Sequence, residues 1–334
     1  MFSAADQLIN ICFEGNGTLK LLFMRGVGGN LVVSKEQPMA GIELICDYKA
    51  DKTYRDSFNR LAELVFGIHF EEWYLQGGWD DRYICHSFLM DNEIIANVSV
   101  SKLDVTIGGL HRQAIQIGTV MTHPDYRGRG LSAALMRHVL HLYEQECELF
   151  FLFANHSAID FYPKFGFEAY RESMYRLAYR PAPKPEAASR LRKLDVSKAD
   201  DWALIRRIVG SRRPVSGQFG VSGNQGIFLF HALHAFRELM HYSPEDEAVV
   251  VFRQEGDTLQ VYDVASQGDM DPERLLSRIA DERTASIHFH FTPDQFIGEA
   301  QGSPMDTDDD LLYIKANFAI ENNAAFRVPA LAHA

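Results

Sequence analysis

The apolar positions of this chain change their period several times, and each change predicts an element. Over residues 58–66 they recur at helical spacing. Over 131–142, Leu131, Leu135, Val139 and Leu142 fall on one face of an amphipathic helix. Segments 93–100 and 113–121 read as strands, and 149–153 as a short strand buried on both faces. The rhythm breaks at 180–188, where Pro181, Pro183 and Pro185 can continue neither a helix nor a central strand. Beyond that break the pattern restarts. Helices are expected over 200–209, 227–239 and 272–280, and strands over 248–252, 259–264, 286–291 and 312–316.

This alternation predicts an α/β (α+β) chain in two parts. The expected division is a first domain over 39–180, a proline-rich linker over 181–192 and a second domain over 193–334 that folds as its own unit. Residues 1–38 fit neither domain and read as an N-terminal extension, with Met39 as an alternative start. Within them, 20–24 and 30–33 can pair as a hairpin across a glycine-rich turn.

Composition narrows the class. With 334 residues, 46% hydrophobic and 23% charged, the chain has the make-up of a soluble globular protein with a core large enough to need no disulfide or metal. Its net charge of −12 argues against partners that present phosphate backbones or anionic membrane surfaces, and suits cationic partners such as amines. The four cysteines, Cys12, Cys46, Cys85 and Cys147, are scattered without metal-ligand spacing. They point to a reducing, cytoplasmic setting and to no metal. The first residues lack the basic stretch of a signal peptide, and no apolar run is long enough to span a membrane.

The chemistry concentrates at 119–132, a strand, a glycine turn and a helix start. Arg127, Gly128, Arg129, Gly130, Leu131 and Ser132 bring backbone N–H groups to a helix N-terminus. Glycine there permits close approach, and both the dipole and the arginines favour an anion such as pyrophosphate. This run, Arg127-x-x-Gly130-x-Ser132, resembles the phosphate loop of the GNAT superfamily of N-acyltransferases, with Ser132 in place of the usual Gly or Ala. A second match follows at Asn155, then Ala158-x-x-Phe161-Tyr162-x-x-x-Gly166-Phe167. The resemblance covers roughly 40–180. It extends more weakly to the C-terminus as a tandem type with a second, degenerate GNAT-like half that lacks a phosphate loop.

The resemblance implies two GNAT-like domains, each a mixed, mostly antiparallel twisted sheet flanked by helices. It implies acetyl-CoA as the acyl donor. The backbone of Val120, Met121 and Thr122 and the side chain of Asn155 would hold the pantetheine, and the amides of 127–132 the pyrophosphate. Tyr162 would protonate the departing thiolate as general acid. The acceptor would be a small-molecule or peptide amine. The second domain would shape the substrate cleft or mediate association, a homodimer being the candidate form. The rival class is an acyl-CoA-binding or sensing module without turnover. The general base is not legible. His123 follows the strand at a position usually solvated or near the phosphates, and His156 and Ser157 lie near the expected thioester end. Glu71, Glu72 and Asp80 lie in a substrate-side loop whose Trp73, Tyr74 and Trp79 either form an aromatic wall for a cation or are ordinary packing aromatics beside solvated carboxylates.

Three further signals read as ordinary structure. The glycine run 220–226 lacks a preceding strand and an arginine, His288 and His290 alternate as on a half-buried strand, and the acidic run 306–310 lacks an EF-hand's glycine and distal glutamate.

Overall fold

The computed structural model describes residues 7–13, 19–27, 30–38, 41–155, 158–181, 191–305, 310–320 and 325–334. The chain divides into two compact units. The first takes Met1–Tyr74, Asp81–Ser101 and Ile117–Glu146; the second takes Leu75–Asp80, Lys102–Gln116 and Cys147–Ala334. The expected linker lies largely outside the described residues, at 182–190. Among the described residues no helix is long and apolar enough to cross a membrane.

In the first unit, β1 (Gln7–Phe13), β2 (Leu19–Val27) and β3 (Asn30–Pro38) form an antiparallel three-stranded sheet, and β2 and β3 are the hairpin expected from the sequence. Strand β4 (Ile42–Cys46) is followed by helices α1 (Lys52–Phe66) and α2 (Glu71–Leu75). Helix α1 starts where the Asp51 carboxylate accepts the Thr53 amide, and stops at Gly67, whose φ of 70° lets its N–H reach the Glu63 carbonyl. Then come β5 (Tyr83–Met90), β6 (Glu93–Ile107), β7 (Leu110–Thr122) and helix α3 (Leu131–Tyr143). Strands β4, β5, β6 and β7 are neighbours in that order. Of the α3 stripe expected from the sequence, Leu142, in the last turn, is 46% exposed and lies off the core, whereas Leu131, Leu135 and Val139 are at most 1% exposed. Each such side chain contributes about 1.5–3 kcal/mol by leaving water.

The second unit holds the C-terminal part of β6 and the N-terminal part of β7. Strand β8 (Leu149–Ala154) runs parallel to β7, with Ala114, Ile115 and Gln116 facing Leu149, Phe150 and Phe151. After β9 (Glu168–Tyr170), β10 (Ser173–Ala178) and β11 (Arg192–Lys193) come α4 (Ala199–Gly210), β12 (Phe219–Ser222), α5 (Gln225–Leu233), β13 (Met240–Ser243), β14 (Ala248–Glu255), β15 (Thr258–Ser266), α6 (Pro272–Ile279), β16 (Ser286–Phe289), β17 (Gln301–Pro304) and β18 (Leu311–Ala316). One sheet has the order β11-β13-β14-β15-β16-β10-β17. Among the described residues its one registered parallel pair is β15 with β16, so the sheet is mixed and mostly antiparallel, as expected.

The pairings of three strands, β18, β12 and β10, differ from a simple division at the linker. Strand β18, near the end of the chain, inserts antiparallel between β8 and β9, and β12 pairs with β6. Strand β10, which precedes the proline-rich stretch, pairs with β16 and β17. The reason is physical: β8 is buried along nearly its whole length and needs a partner on its second edge, which Leu312, Tyr313 and Ile314 supply.

Candidate functional site

Helix α3 begins at an unusual corner. Strand β7 ends at Thr122, a short 3₁₀ turn covers Pro124–Tyr126, and Arg127 is extended. Gly128 and Gly130 then take φ values of 75° and 79°, in the left-handed region that other residues enter only with strain. Gly130 caps the helix and brings no side chain to the first-turn amides. The sequence places two glycines here because the chain must turn twice through this region to start α3.

The arginines of the turn are tethered through their own guanidinium groups. Arg127 donates Nε–H to the Thr122 carbonyl (3.2 Å) and Arg129 donates to the Asp125 carbonyl (3.0 Å), both side chains remaining exposed. Arg129 also lies over the Tyr126 ring at 4.8 Å. Ser132, which departs from the small residue usual at its place, has a use here. Its hydroxyl meets that of Thr122 at 2.6 Å and ties the first turn of α3 to the end of β7. Val120, Met121 and Thr122 lie on β7 as expected, with Met121 buried. Thus the first unit brings together Val120, Met121, Thr122 and residues 127–132.

Just before them, Thr119 has φ 48°, a strained value for a β-branched residue. A buried polar network holds it there, one that the sequence reading missed. Asn97, fully buried, donates to the Thr119 carbonyl at 2.9 Å and to Ser99 Oγ at 2.9 Å, and accepts from Ser87 Oγ at 2.8 Å. Ser87 Oγ meets the Tyr48 hydroxyl at 2.7 Å, and the Tyr83 hydroxyl meets Thr119 Oγ1 at 2.8 Å. The signal was present in the alternation of Asn97, Ser99 and Ser101, which puts three polar side chains on one face of β6. Opposite them on β5 stand Ser87, Cys85 and Tyr83.

Asn155 and Tyr162 belong to the second unit. Asn155 is exposed at the end of β8, and its carbonyl accepts the Ala158 amide at 3.0 Å. Tyr162 opens a 3₁₀ turn over Tyr162–Phe165 that closes on Gly166 at φ 82°. Its ring, 6% exposed, packs against Phe161, Phe167 and Tyr313, at centroid separations of 5.1, 6.2 and 5.8 Å. The hydroxyl makes no hydrogen bond to another described residue. Burial pushes the phenol up to about 12, with the Asp310 charge and then Tyr313 adding to it. Tyr162 therefore keeps its proton at neutral pH.

Of the two readings of the 73–79 aromatics, ordinary packing is the one found. Trp73 is buried against Phe70 and Tyr83, Trp79 is buried in the second unit, and the cation over the Tyr74 ring is Arg55 at 3.8 Å. Arg55 also pairs with Glu71 at 3.3 Å. Of the candidate bases, His123 accepts the Asp125 amide as a turn cap, and His156 and Ser157 lie outside the described residues.

Gly220 lies in β12, where a Cβ would fall 2.2 Å from the Ser216 carbonyl, so this glycine serves close packing. His290 is held by Gln260 at 2.8 Å and Arg327 at 3.1 Å, and burial, with Arg327 next, pushes it down to about 3. The acidic run falls at 306–309, outside the described residues, apart from Asp310.

Residues 48–170 match the family model of the acetyltransferase (GNAT) domain. Among solved structures the chain is similar to a conserved protein of unknown function from Enterococcus faecalis, described as a probable N-acyltransferase. The TM-score is 0.55 at 16% identity, covering 82% of this chain and 72% of that one. It is also similar to a GCN5-related N-acetyltransferase from Kribbella flavida, with TM-score 0.51, 17% identity and coverage of 83% and 71%. A third is Eis1 from Mycobacterium abscessus, with TM-score 0.51, 16% identity and coverage of 81% and 72%. At these identities the likeness is one of fold. No curated protein matches the chain.

Proposed function

We propose, from the premise that residues 48–170 are a GNAT acetyltransferase domain, that this chain is an N-acetyltransferase that uses acetyl-CoA to acetylate a small-molecule or peptide amine. The observation that carries the reading is the α3 corner. Left-handed Gly128 and Gly130, exposed Arg127 and Arg129, and the uncapped first turn beginning at Leu131 and Ser132 make an anion cradle suited to a pyrophosphate. The strained Thr119 and the strand end Val120, Met121 and Thr122 lead into it.

In the proposed reaction the pantetheine amides pair with the backbone of 120–122 and with Asn155. The free amine attacks the thioester carbonyl, forming the C–N bond. Backbone N–H groups near the strained segment stabilise the tetrahedral oxyanion. The C–S bond then breaks, the ammonium proton passes to solvent or a base, and the thiolate takes a proton. We assign that proton to Tyr162. A phenol near 12 is a weaker acid than an ordinary thiol near 8.5. Its first contribution is thus a hydrogen bond to the departing sulfur. When the proton crosses, the phenolate left behind is the stronger base and recovers a proton from solvent or from the ammonium product, which restores Tyr162. The second half of the chain is proposed as a GNAT-like partner that shapes the amine site or mediates association as a homodimer. The free thiols of Cys46, Cys85 and Cys147 suit a cytoplasmic enzyme.

The test is calorimetry with acetyl-CoA followed by CoA-thiol release over an amine panel. Binding plus amine-dependent release is the expected result. Binding without release on any amine class favours a sensing module, and absence of binding overturns the cradle.

A further inference from the structure

Away from the proposed reaction, the first unit gathers three metal-ligating side chains from elements far apart in sequence. Cys46 ends β4, His86 sits opposite it on β5 as its register partner, and His138 reaches in from α3. One ligand atom from each lies within 4.8 Å of the other two. Cys46 Sγ and His86 Nδ1 are 3.2 Å apart. Tetrahedral zinc, with bonds of about 2.3 Å to sulfur and about 2.0–2.1 Å to nitrogen, places its ligand atoms roughly 3.3–3.6 Å apart. One edge of the triangle is therefore near its metal-bound length, and the His138 ring closes the others by moving about 1 Å.

Two further observations single the cluster out. His138 Nε2 is buried and has no hydrogen-bond partner, a state that costs about 1–3 kcal/mol unless something occupies the position beside it. The other His86 nitrogen, Nε2, meets the Tyr143 hydroxyl at 3.1 Å, the outer hydrogen bond that fixes a ligating imidazole's tautomer. The two imidazole rings stand edge to face at 5.3 Å. Cys46 is the exposed member, so a cation has an entry path and a fourth position open to water.

The geometry points to a Cys46–His86–His138 site for a divalent cation of zinc type, clipping β4, β5 and α3 together. One thiolate and two neutral imidazoles select such a cation over magnesium or calcium, which take oxygen ligands. Binding forms one metal–sulfur and two metal–nitrogen bonds and releases the thiol proton to solvent.

Cobalt(II) titration of the chelator-treated full chain tests this. The expected result is one-to-one binding with a thiolate-to-metal charge-transfer band. The band should be absent in Cys46→Ser, and affinity should fall by about tenfold or more in His138→Ala. Zinc should raise the thermal midpoint of the wild type and not that of Cys46→Ser. Because Cys46 is exposed, that variant should fold; circular dichroism checks it, and His138→Gln provides a second route if His138→Ala does not. No stoichiometric binding, a band that persists in Cys46→Ser, or unchanged affinity in folded His138 variants would each overturn the site.

Discussion

Glu172 offers a direct test of how the second unit handles buried charge. Its carboxyl accepts the Val328 amide at 2.8 Å and is otherwise enclosed. Burial pushes it up to about 7 from 4.5, against the opposing pull of that amide and of Arg327. The folded chain therefore holds this proton in a range where the unfolded chain has released it. Stability should be highest, as far as this group is concerned, below about pH 4.5, should fall as pH rises to about 7, and should stay at the lower level above. A shift of this size corresponds to at most about 3 kcal/mol, and the partial exposure of the residue as a whole trims it to about 2 kcal/mol. Glu172→Gln keeps the shape and the acceptor for Val328 but cannot ionise. Denaturant unfolding of both proteins at pH 5 and pH 8 should show the variant gaining about 1.5 kcal/mol on the wild type between the two values, because part of the loss already falls below pH 5. Steric effects of the substitution cancel in that difference. A pH-independent difference, or a wild type that gains as pH rises, would refute the buried-carboxyl account.

Three other substitutions probe the proposed site. Tyr162→Phe should lower the single-turnover rate of acetyl transfer by about 10²–10⁴-fold with acetyl-CoA affinity nearly unchanged; weakened binding with turnover intact would make Tyr162 a cosubstrate contact instead. Because its phenol lies near 12, a basic limb between pH 8 and 10 that vanishes in Tyr162→Phe would contradict the proton it is said to keep. Gly130→Glu should abolish acetyl-CoA binding measured by calorimetry, through backbone strain at φ 79° and like charge, and near-normal affinity in a folded variant would remove the pyrophosphate from this corner. Asn97→Ala strips the donor from the Thr119 carbonyl and the acceptor from Ser87, and should cost about 2–4 kcal/mol in urea unfolding; a loss below about 1 kcal/mol would mean the network does not hold Thr119.

The elements with strong periodicity were legible in the sequence. Leu131, Leu135 and Val139 announced α3 and its buried face, and the Arg127–Ser132 turn announced the corner that starts it. Strand β5 was missed because His86 and Ser87 interrupt the run of apolar residues, and both are buried for reasons of polar partnership. The helix expected over 227–239 stops at Leu233, since His234 takes φ −116° and ψ −104° and its ring stacks on Phe230. No local pattern could have foretold that β18 pairs with β8, because Leu312, Tyr313 and Ile314 would look the same in any sheet. The Cys46–His86–His138 cluster was invisible for the same reason: its spacing exists only after β4, β5 and α3 are packed.

The insertion of β18 between β8 and β9 sets an order of events during synthesis. Strand β8 leaves the ribosome more than 150 residues before its antiparallel neighbour exists. At about 5–20 residues per second that is a wait of roughly 10–30 s, with an edge of Leu149, Phe151 and Leu152 open to other chains. A fragment ending where the family match ends, at residue 170, would carry that open edge permanently. Expression of such a fragment alone is therefore expected to yield aggregates that the full chain avoids.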